Sequence, residues 1–358
     1  MQLTQTPHNA AHGDPGRIPP ASGPVVGLGF HASFDTLRAT AAAVEEAGGN
    51  GFFVSEADHD AFVMLTAAAE HTRHVTLGTA VAIAFARTPM SLAYTAHDLQ
   101  RLSGGRLVLG LGTQIAPHVV KRFGMPWSRP AARMKEYVAA LHAIWGSWQA
   151  GTKLSFEGDF YTHTLMPQAF SPGPLDGPVP AIWLAGVGPK MVEVAAEVAD
   201  GLFLHPMTSA DYRDQVMLPS VDAGRAAARR SGPFAVAAMA TVATGRTDEE
   251  IAASVALTKR QIAFYASTPA YLPVLAHHGW EELHHAANEG MRRGDYLTLG
   301  ELVDDVVLET FAIVGDPRQV AERLRERYQP VDQVILTMPF QDAAAQAAAL
   351  EILALCRH

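Results

Sequence analysis

Residues 89–110 read Pro89-Met-Ser-Leu-Ala-Tyr-Thr-Ala-His-Asp-Leu-Gln-Arg-Leu102, then Ser103-Gly104-Gly105, then Arg106-Leu-Val-Leu-Gly110. The first part has the length of a helix, the glycine pair closes it, and the last part is a short, nearly all-apolar run. A strand without polar alternation is buried on both faces, as in a parallel sheet. The same unit recurs on the N-terminal side. Val75-Thr-Leu-Gly-Thr79 follows a helix from Phe62 to Thr72, and Gly51-Phe-Phe-Val54 precedes it. Before that, Val25-Val-Gly-Leu-Gly-Phe30 leads into a helix from Phe34 to Ala47, with Leu37, Ala41 and Val44 on one face and Gly48-Gly49 as its stop. Strand starts near 25, 51, 74 and 106 are one βα unit apart. On the C-terminal side the rhythm loosens. A helix from Arg129 to Trp148 carries Met134, Val138, Leu141, Trp145 and Trp148 as one stripe. Strands resume at Ala181–Leu184, Gly201–Leu204, Phe234–Val242 and Val334–Thr337. Asp316-Pro317 reads as a helix start, followed by Val320, Leu324 and Tyr328 on one face. Eight such units predict an α/β fold of the (β/α)8 TIM-barrel class. A doubly wound sheet is the alternative, disfavoured by the unit count and by missing nucleotide motifs.

The chain has 358 residues, and a bare barrel needs about 250. The surplus falls in an N-terminal arm (1–24), an excursion at 151–178 and an insertion at about 257–311. The barrel then spans 25–340, and 341–358 forms a C-terminal helix packed on it. With 27 basic and 36 acidic residues the net charge is −9, which argues against a nucleic-acid partner. One cysteine, Cys356, excludes an internal disulfide and a cysteine-based zinc site. The longest apolar stretch, Val75 to Ala86, falls short of the roughly 20 residues that cross a bilayer. The start, Met1 to Pro24, has no basic, then apolar, export pattern, so the expected location is cytoplasmic.

Gly27-Leu-Gly29 and Gly186-Val-Gly188 each lack the third glycine of a dinucleotide fingerprint, and neither a phosphate-binding Gly-x4-Gly-Lys loop nor a Gly-x-Ser-x-Gly elbow occurs. His277, His278, His284 and His285 are poorly spaced for a metal, since 278 and 285 lie two helical turns apart. They read as solvated or lining residues, and no metal is expected. Gly186-Val-Gly-Pro-Lys-Met191 joins a strand to a helix. Its bare backbone N–H groups suit a phosphate, a plain tight turn being the other reading.

Several segments in order resemble the bacterial luciferase-like flavin and deazaflavin oxidoreductases. They are Gly51-Phe-Phe-Val-Ser-Glu56 with Asp58-His59-Asp60, Leu77-Gly-Thr-Ala-Val81, and Ser103-Gly-Gly-Arg-Leu-Val-Leu-Gly-Leu-Gly-Thr113. Arg133 through Trp145 and Trp183-Leu-Ala-Gly-Val-Gly-Pro-Lys-Met191, leading to Ala199-Asp-Gly201, complete the set. The Ser-Gly-Gly-Arg run before a Gly-x-Gly strand is the most specific. The resemblance covers about residues 25–340 and is closest to the branch using coenzyme F-420, a deazaflavin, with FMN as the alternative cofactor. It implies a barrel with the cofactor at the C-terminal strand ends, where barrel sites lie. It also implies a cis peptide at Ala80–Val81 under the ring, with cofactor phosphate or its linker at Gly186, Val187, Gly188, Pro189, Lys190 and Met191. Thr113 and Gln114 would meet the polar edge of the ring. Arg122 and Arg133 are weaker candidates for its anionic tail, with salt bridging as the competing role. The resemblance implies a homodimer as well.

Glu56, Asp58 and His59 follow the second strand and are the catalytic candidates. An imidazole there suits proton transfer beside a hydride acceptor. Glu56 either orients His59 or a ligand, or pairs with a buried arginine. In the family's sugar-phosphate dehydrogenases the histidine follows the serine by two residues. Here it follows Ser55 by four, and the position of their glutamate falls near Ile115. A small, fairly apolar organic substrate therefore fits better than a sugar phosphate. Phe62, Tyr265, Tyr271 and Trp280 are expected to line its pocket, the last three in an aromatic-rich segment that also holds Phe264 and His277. Packing of a helical insertion is the structural alternative. The activity implied is hydride transfer between F-420 and such a substrate. An FMN-dependent monooxygenase, and a flavin-binding barrel without turnover, are the rival readings.

Overall fold

The computed structural model describes residues 25–30, 34–338 and 342–357, so the expected arm at 1–24 lies outside the described residues. Eight parallel strands form a closed ring: β1 (Val25–Phe30), β2 (Gly51–Val54), β3 (Thr76–Thr79), β4 (Leu107–Gly112), β5 (Ala181–Ala185), β6 (Gly201–Leu204), β7 (Ala235–Thr244) and β8 (Gln333–Thr337). Neighbours follow chain order, and β8 closes onto β1 with Val26 opposite Val334. The longer helices are α1 (Phe34–Glu46), α2 (Ala61–Glu70), α3 (Pro89–Leu102), α4 (Pro130–Ala150), α5 (Pro189–Val198), α6 (Leu218–Ala227), α7 (Asp248–Ala266), α8 (Glu281–Arg293), α9 (Pro317–Arg327) and α10 (Ala343–Leu355). The architecture is the (β/α)8 barrel read from the strand spacing.

Three rings fill the barrel axis. Phe53, Trp183 and Phe203 cluster there with Val108, Ala237 and Ile335, and Phe203 stands 6.1 Å from Phe53 and 5.2 Å from Trp183. Glycine on adjacent strands makes the room. A Cβ on Gly78 would fall 2.4 Å from the Phe53 ring, and one on Gly110 would fall 2.5 Å from Phe203 and 1.8 Å from the Thr79 carbonyl oxygen. Above this layer small and aliphatic groups remain: Ala80, Val81, Ala185 and Met239 all pack on the cluster. The Ala80–Val81 peptide bond is cis, the form the resemblance implies there.

The excursion contains a two-stranded antiparallel ribbon, Phe156–Glu157 with Thr162–His163. Between β7 and α9 the chain forms α7, α8 and shorter helices, then a strand, Ala312–Gly315, that extends the sheet beside Thr241–Thr244 of β7. That strand was not expected from sequence. It follows the helix Asp305–Phe311 directly, and with no turn residues between them the two apolar patterns merge. α10 buries Ala348, Ala349, Ile352 and Leu353, and Gln346 Nε2 donates to Thr40 Oγ1 of α1 at 2.6 Å.

Candidate active site

The C-terminal ends of the strands carry the polar groups. After β2, Ser55 Oγ donates to the Ala80 carbonyl oxygen at 3.0 Å, tying this loop to the end of β3. Glu56 accepts from the Ile83 N–H at 2.6 Å and from both Arg87 nitrogens, at 2.7 and 2.5 Å. Arg87 also reaches Asp60 at 3.0 Å and lies over the Phe62 ring at 5.1 Å. Burial works against its charge, but the Glu56 carboxylate overcomes that and raises its pKa. Asp60 caps α2, accepting from the Phe62 and Val63 N–H groups. Of the two roles open for Glu56, the structure shows the arginine pair; its oxygens are engaged away from His59. Phe62 is 5% exposed and packs in the core beneath Arg87, on the capped first turn of α2.

His59 is 38% exposed, meets Phe34 edge-on at 5.0 Å and has the exposed Asp58 at 4.0 Å. Thr113 and Gln114 follow β4. Thr113 Oγ1 donates to the Gln114 carbonyl oxygen at 2.9 Å, and Gln114, with φ of 59°, folds its own amide oxygen onto the Ile115 N–H at 3.0 Å. Ile115 is 40% exposed. Arg122 donates to the Ala57 carbonyl oxygen, bracing the loop after β2. Arg133 is not available for an anionic tail: it is buried, bonded to Tyr161 Oη at 2.7 Å and the Pro126 carbonyl oxygen at 2.5 Å, and packed over Phe85 at 4.3 Å.

The turn between β5 and α5 presents bare backbone N–H groups at the start of a helix. Gly188 occupies the N-cap position without a side-chain cap, and a Cβ there would meet open space. Met191 and Val192 N–H donate to the Gly188 carbonyl oxygen, while among the described residues the N–H groups of Val187, Gly188 and Lys190 have no protein acceptor. Pro189 has no N–H to offer, and the Lys190 side chain is exposed.

His205, immediately after β6, was not foreseen. Its Nδ1 accepts from the Met207 N–H at 3.1 Å, and its Nε2 lies 2.9 Å from Tyr271 Oη. The Tyr271 ring stacks on the imidazole at 4.5 Å, and Tyr265 meets it edge-on at 4.8 Å. Burial pushes the pKa of His205 down to about 3 and raises those of both tyrosines. The available signal was a polar residue directly after the apolar run Gly201–Leu204, at the functional end of a barrel strand. Trp280 belongs elsewhere. It stacks on His278 at 4.6 Å and meets Phe311 edge-on at 6.0 Å, packing the insertion on itself. His278 is bonded to Ser209 Oγ at 2.8 Å, and no group of metal-ligating residues occurs among the described residues.

A cleft of about 320 Å³ opens at the opposite end of the barrel, beside His142, Asp200 and Arg230. Its charges are already used within the protein: Arg230 faces Asp200 at 3.5 Å and caps the Ala199 carbonyl oxygen at 2.7 Å.

An eight-stranded barrel with an apolar floor, a glycine-bordered helix start and paired polar groups at one mouth defines the (β/α)8-barrel class. The family model described as luciferase-like monooxygenase matches residues 5–333, and the chain belongs to that family. It is 48% identical over 307 residues to an uncharacterised protein of Mycobacterium tuberculosis, covering 86% of this chain and 90% of that one. It is 32% identical over 305 residues to another M. tuberculosis protein, provisionally named a coenzyme F-420-dependent oxidoreductase, covering 79% and 84%. Among solved structures it is similar to the coenzyme F-420-dependent tetrahydromethanopterin reductase of Methanopyrus kandleri, with a TM-score of 0.76, 22% identity, and 93% and 98% of the two chains covered. Among the described residues no helix is long and apolar enough to cross a membrane.

Proposed function

We propose that this enzyme exchanges hydride between coenzyme F-420 and a small, fairly apolar organic substrate. The observation that carries the reading is the turn after β5. Three backbone N–H groups without protein partners, on a helix N-terminus beside an apolar floor, suit a flat ring system that bears a phosphate. The similarity to the provisionally named oxidoreductase supports the deazaflavin over FMN. Val187, Gly188 and Lys190 would hold the phosphate, and Ala80, Val81 and Ala185 would support the ring. When bound, the deazaflavin supplies a carbon that gives or takes hydride.

The protein's own residues then orient the substrate and manage protons. Tyr265 and Tyr271 give an aromatic wall, and Ile115 leaves a sugar phosphate without a carboxylate partner. His59 is exposed enough to exchange protons with water, so we assign it that role, and a His59→Ala variant with unchanged turnover overturns it. The reading also includes a homodimer, which sedimentation velocity tests.

Spectroscopic titration with F-420 and with FMN tests the cofactor. Tight FMN binding without deazaflavin binding refutes the proposal and favours a monooxygenase. Gly188→Ala places a methyl group in open space and should leave stability within about 1 kcal/mol, while lowering cofactor affinity roughly tenfold by crowding the turn.

A further inference from the structure

We infer that Tyr271 is the proton donor to the substrate heteroatom, and that the substrate is therefore a carbonyl or imine compound reduced at its C=O or C=N bond. The inference rests on the hydride-transfer reading and adds the substrate class and the group that selects it.

The argument follows one proton. The Met207 N–H points at His205 Nδ1, so that nitrogen must carry a lone pair. A neutral imidazole with a bare Nδ1 holds its hydrogen on Nε2. That hydrogen points at Tyr271 Oη, 2.9 Å away, so the phenol oxygen accepts. The hydroxyl hydrogen of Tyr271 is then left for a third group. Among the described residues Tyr271 Oη has no other hydrogen-bond partner. Tyr265 Oη likewise accepts, from Gln261 Nε2 at 3.2 Å, but its ring meets the imidazole edge-on and its hydroxyl is not bonded to His205, so Tyr265→Phe serves as the control for Tyr271→Phe.

A donor fixed in this way recognises an acceptor. His205 directly follows β6 at the barrel mouth, and Tyr271 lies in the Pro269–Tyr271 turn above it, partly exposed. A carbonyl oxygen or imine nitrogen satisfies the free O–H, whereas an alkane or an alkene cannot. Were a bound, reduced deazaflavin to supply hydride to the carbonyl carbon, the C=O π pair would move onto oxygen. The Tyr271 O–H bond breaks, and its proton goes to that oxygen to complete an alcohol. The phenolate keeps the electron pair and the hydrogen bond from His205 Nε2–H, and water returns the proton. His205 touches no reacting atom and acts as a positioning residue.

The test uses the purified full-length enzyme and 4-(dimethylamino)cinnamaldehyde, whose visible band moves to longer wavelength when its carbonyl oxygen accepts a strong hydrogen bond. The wild type should show a saturable red shift. Tyr271→Phe should lose most of it with binding changed less than about threefold, and Tyr265→Phe should keep it. Carbonyl reduction by Tyr271→Phe should fall about 10²–10⁴-fold, the usual scale for loss of a general acid. Nitrogen NMR of His205, assigned with His205→Asn, should show the proton on Nε2, and its presence on Nδ1 overturns the proposal. So does the absence of a saturable shift in the wild type, or its retention in Tyr271→Phe with an unchanged circular dichroism spectrum. F-420 titration of the same samples reads the cofactor assignment separately, so failure there is distinct from failure of the donor.

Discussion

Arg87 holds the loop after β2 in place. Its guanidinium joins Glu56, Asp60 and the face of Phe62, and Tyr137 Oη donates to its carbonyl oxygen at 3.2 Å. The Arg87 and Glu56 side chains are 18% and 7% exposed, so removing one leaves the other charge poorly solvated. Arg87→Met should destabilise the fold by about 3 kcal/mol, measured by urea unfolding. A double-mutant cycle with Glu56→Gln should return a coupling of at least about 1 kcal/mol. Zero coupling would mean that the pair is incidental. The sequence left Glu56 between two roles because its partner lies 31 residues away, and local pattern carries no record of such a meeting. The aromatic candidates separated for a related reason. Tyr265 and Tyr271 reached the mouth, while Trp280, nine residues after Tyr271, turned onto His278.

The strand glycines are explained at the level of elements. In sequence they count only as weak points in apolar runs, yet Gly78 makes room for the Phe53 ring of the neighbouring β2 and Gly110 for the Phe203 ring of β6 at the barrel axis. Gly110→Ala should therefore cost more than 3 kcal/mol or abolish folding, by the scale of core overpacking. Gly146→Ala, at a helix position whose Cβ meets open space, should be neutral or slightly stabilising. Chemical denaturation of the pair checks this, and equal stabilities would contradict the packing described. Strand order and the ends of the first four long helices were legible because parallel burial and glycine stops are local signals. The strand Ala312–Gly315 was not, because nothing in its four residues distinguishes it from the helix it follows.

For the whole molecule, a half-buried, desolvated imidazole ties stability to pH. Desolvation pushes the pKa of His205 down to about 3 in the fold, below the roughly 6.5 of an unfolded chain. Between those values the unfolded state binds the extra proton. The contribution of this residue is thus complete above pH 6.5 and is lost as the pH falls toward 3. His205→Gln should flatten the decline in stability across that window relative to wild type, measured as urea midpoints at several pH values. An identical slope in both proteins would show that the imidazole is not desolvated.

The sequence by itself determined the barrel, its strand order and the strand-to-helix turn at Gly186–Met191, because burial on both strand faces and a glycine-bordered helix start are properties of neighbouring residues. Only the tertiary structure decided the partners: Glu56 with Arg87, and His205 with Tyr271 across 66 residues. Those pairings exist only once the ring of strands has closed, when groups far apart in the chain arrive at one mouth and must satisfy each other away from water.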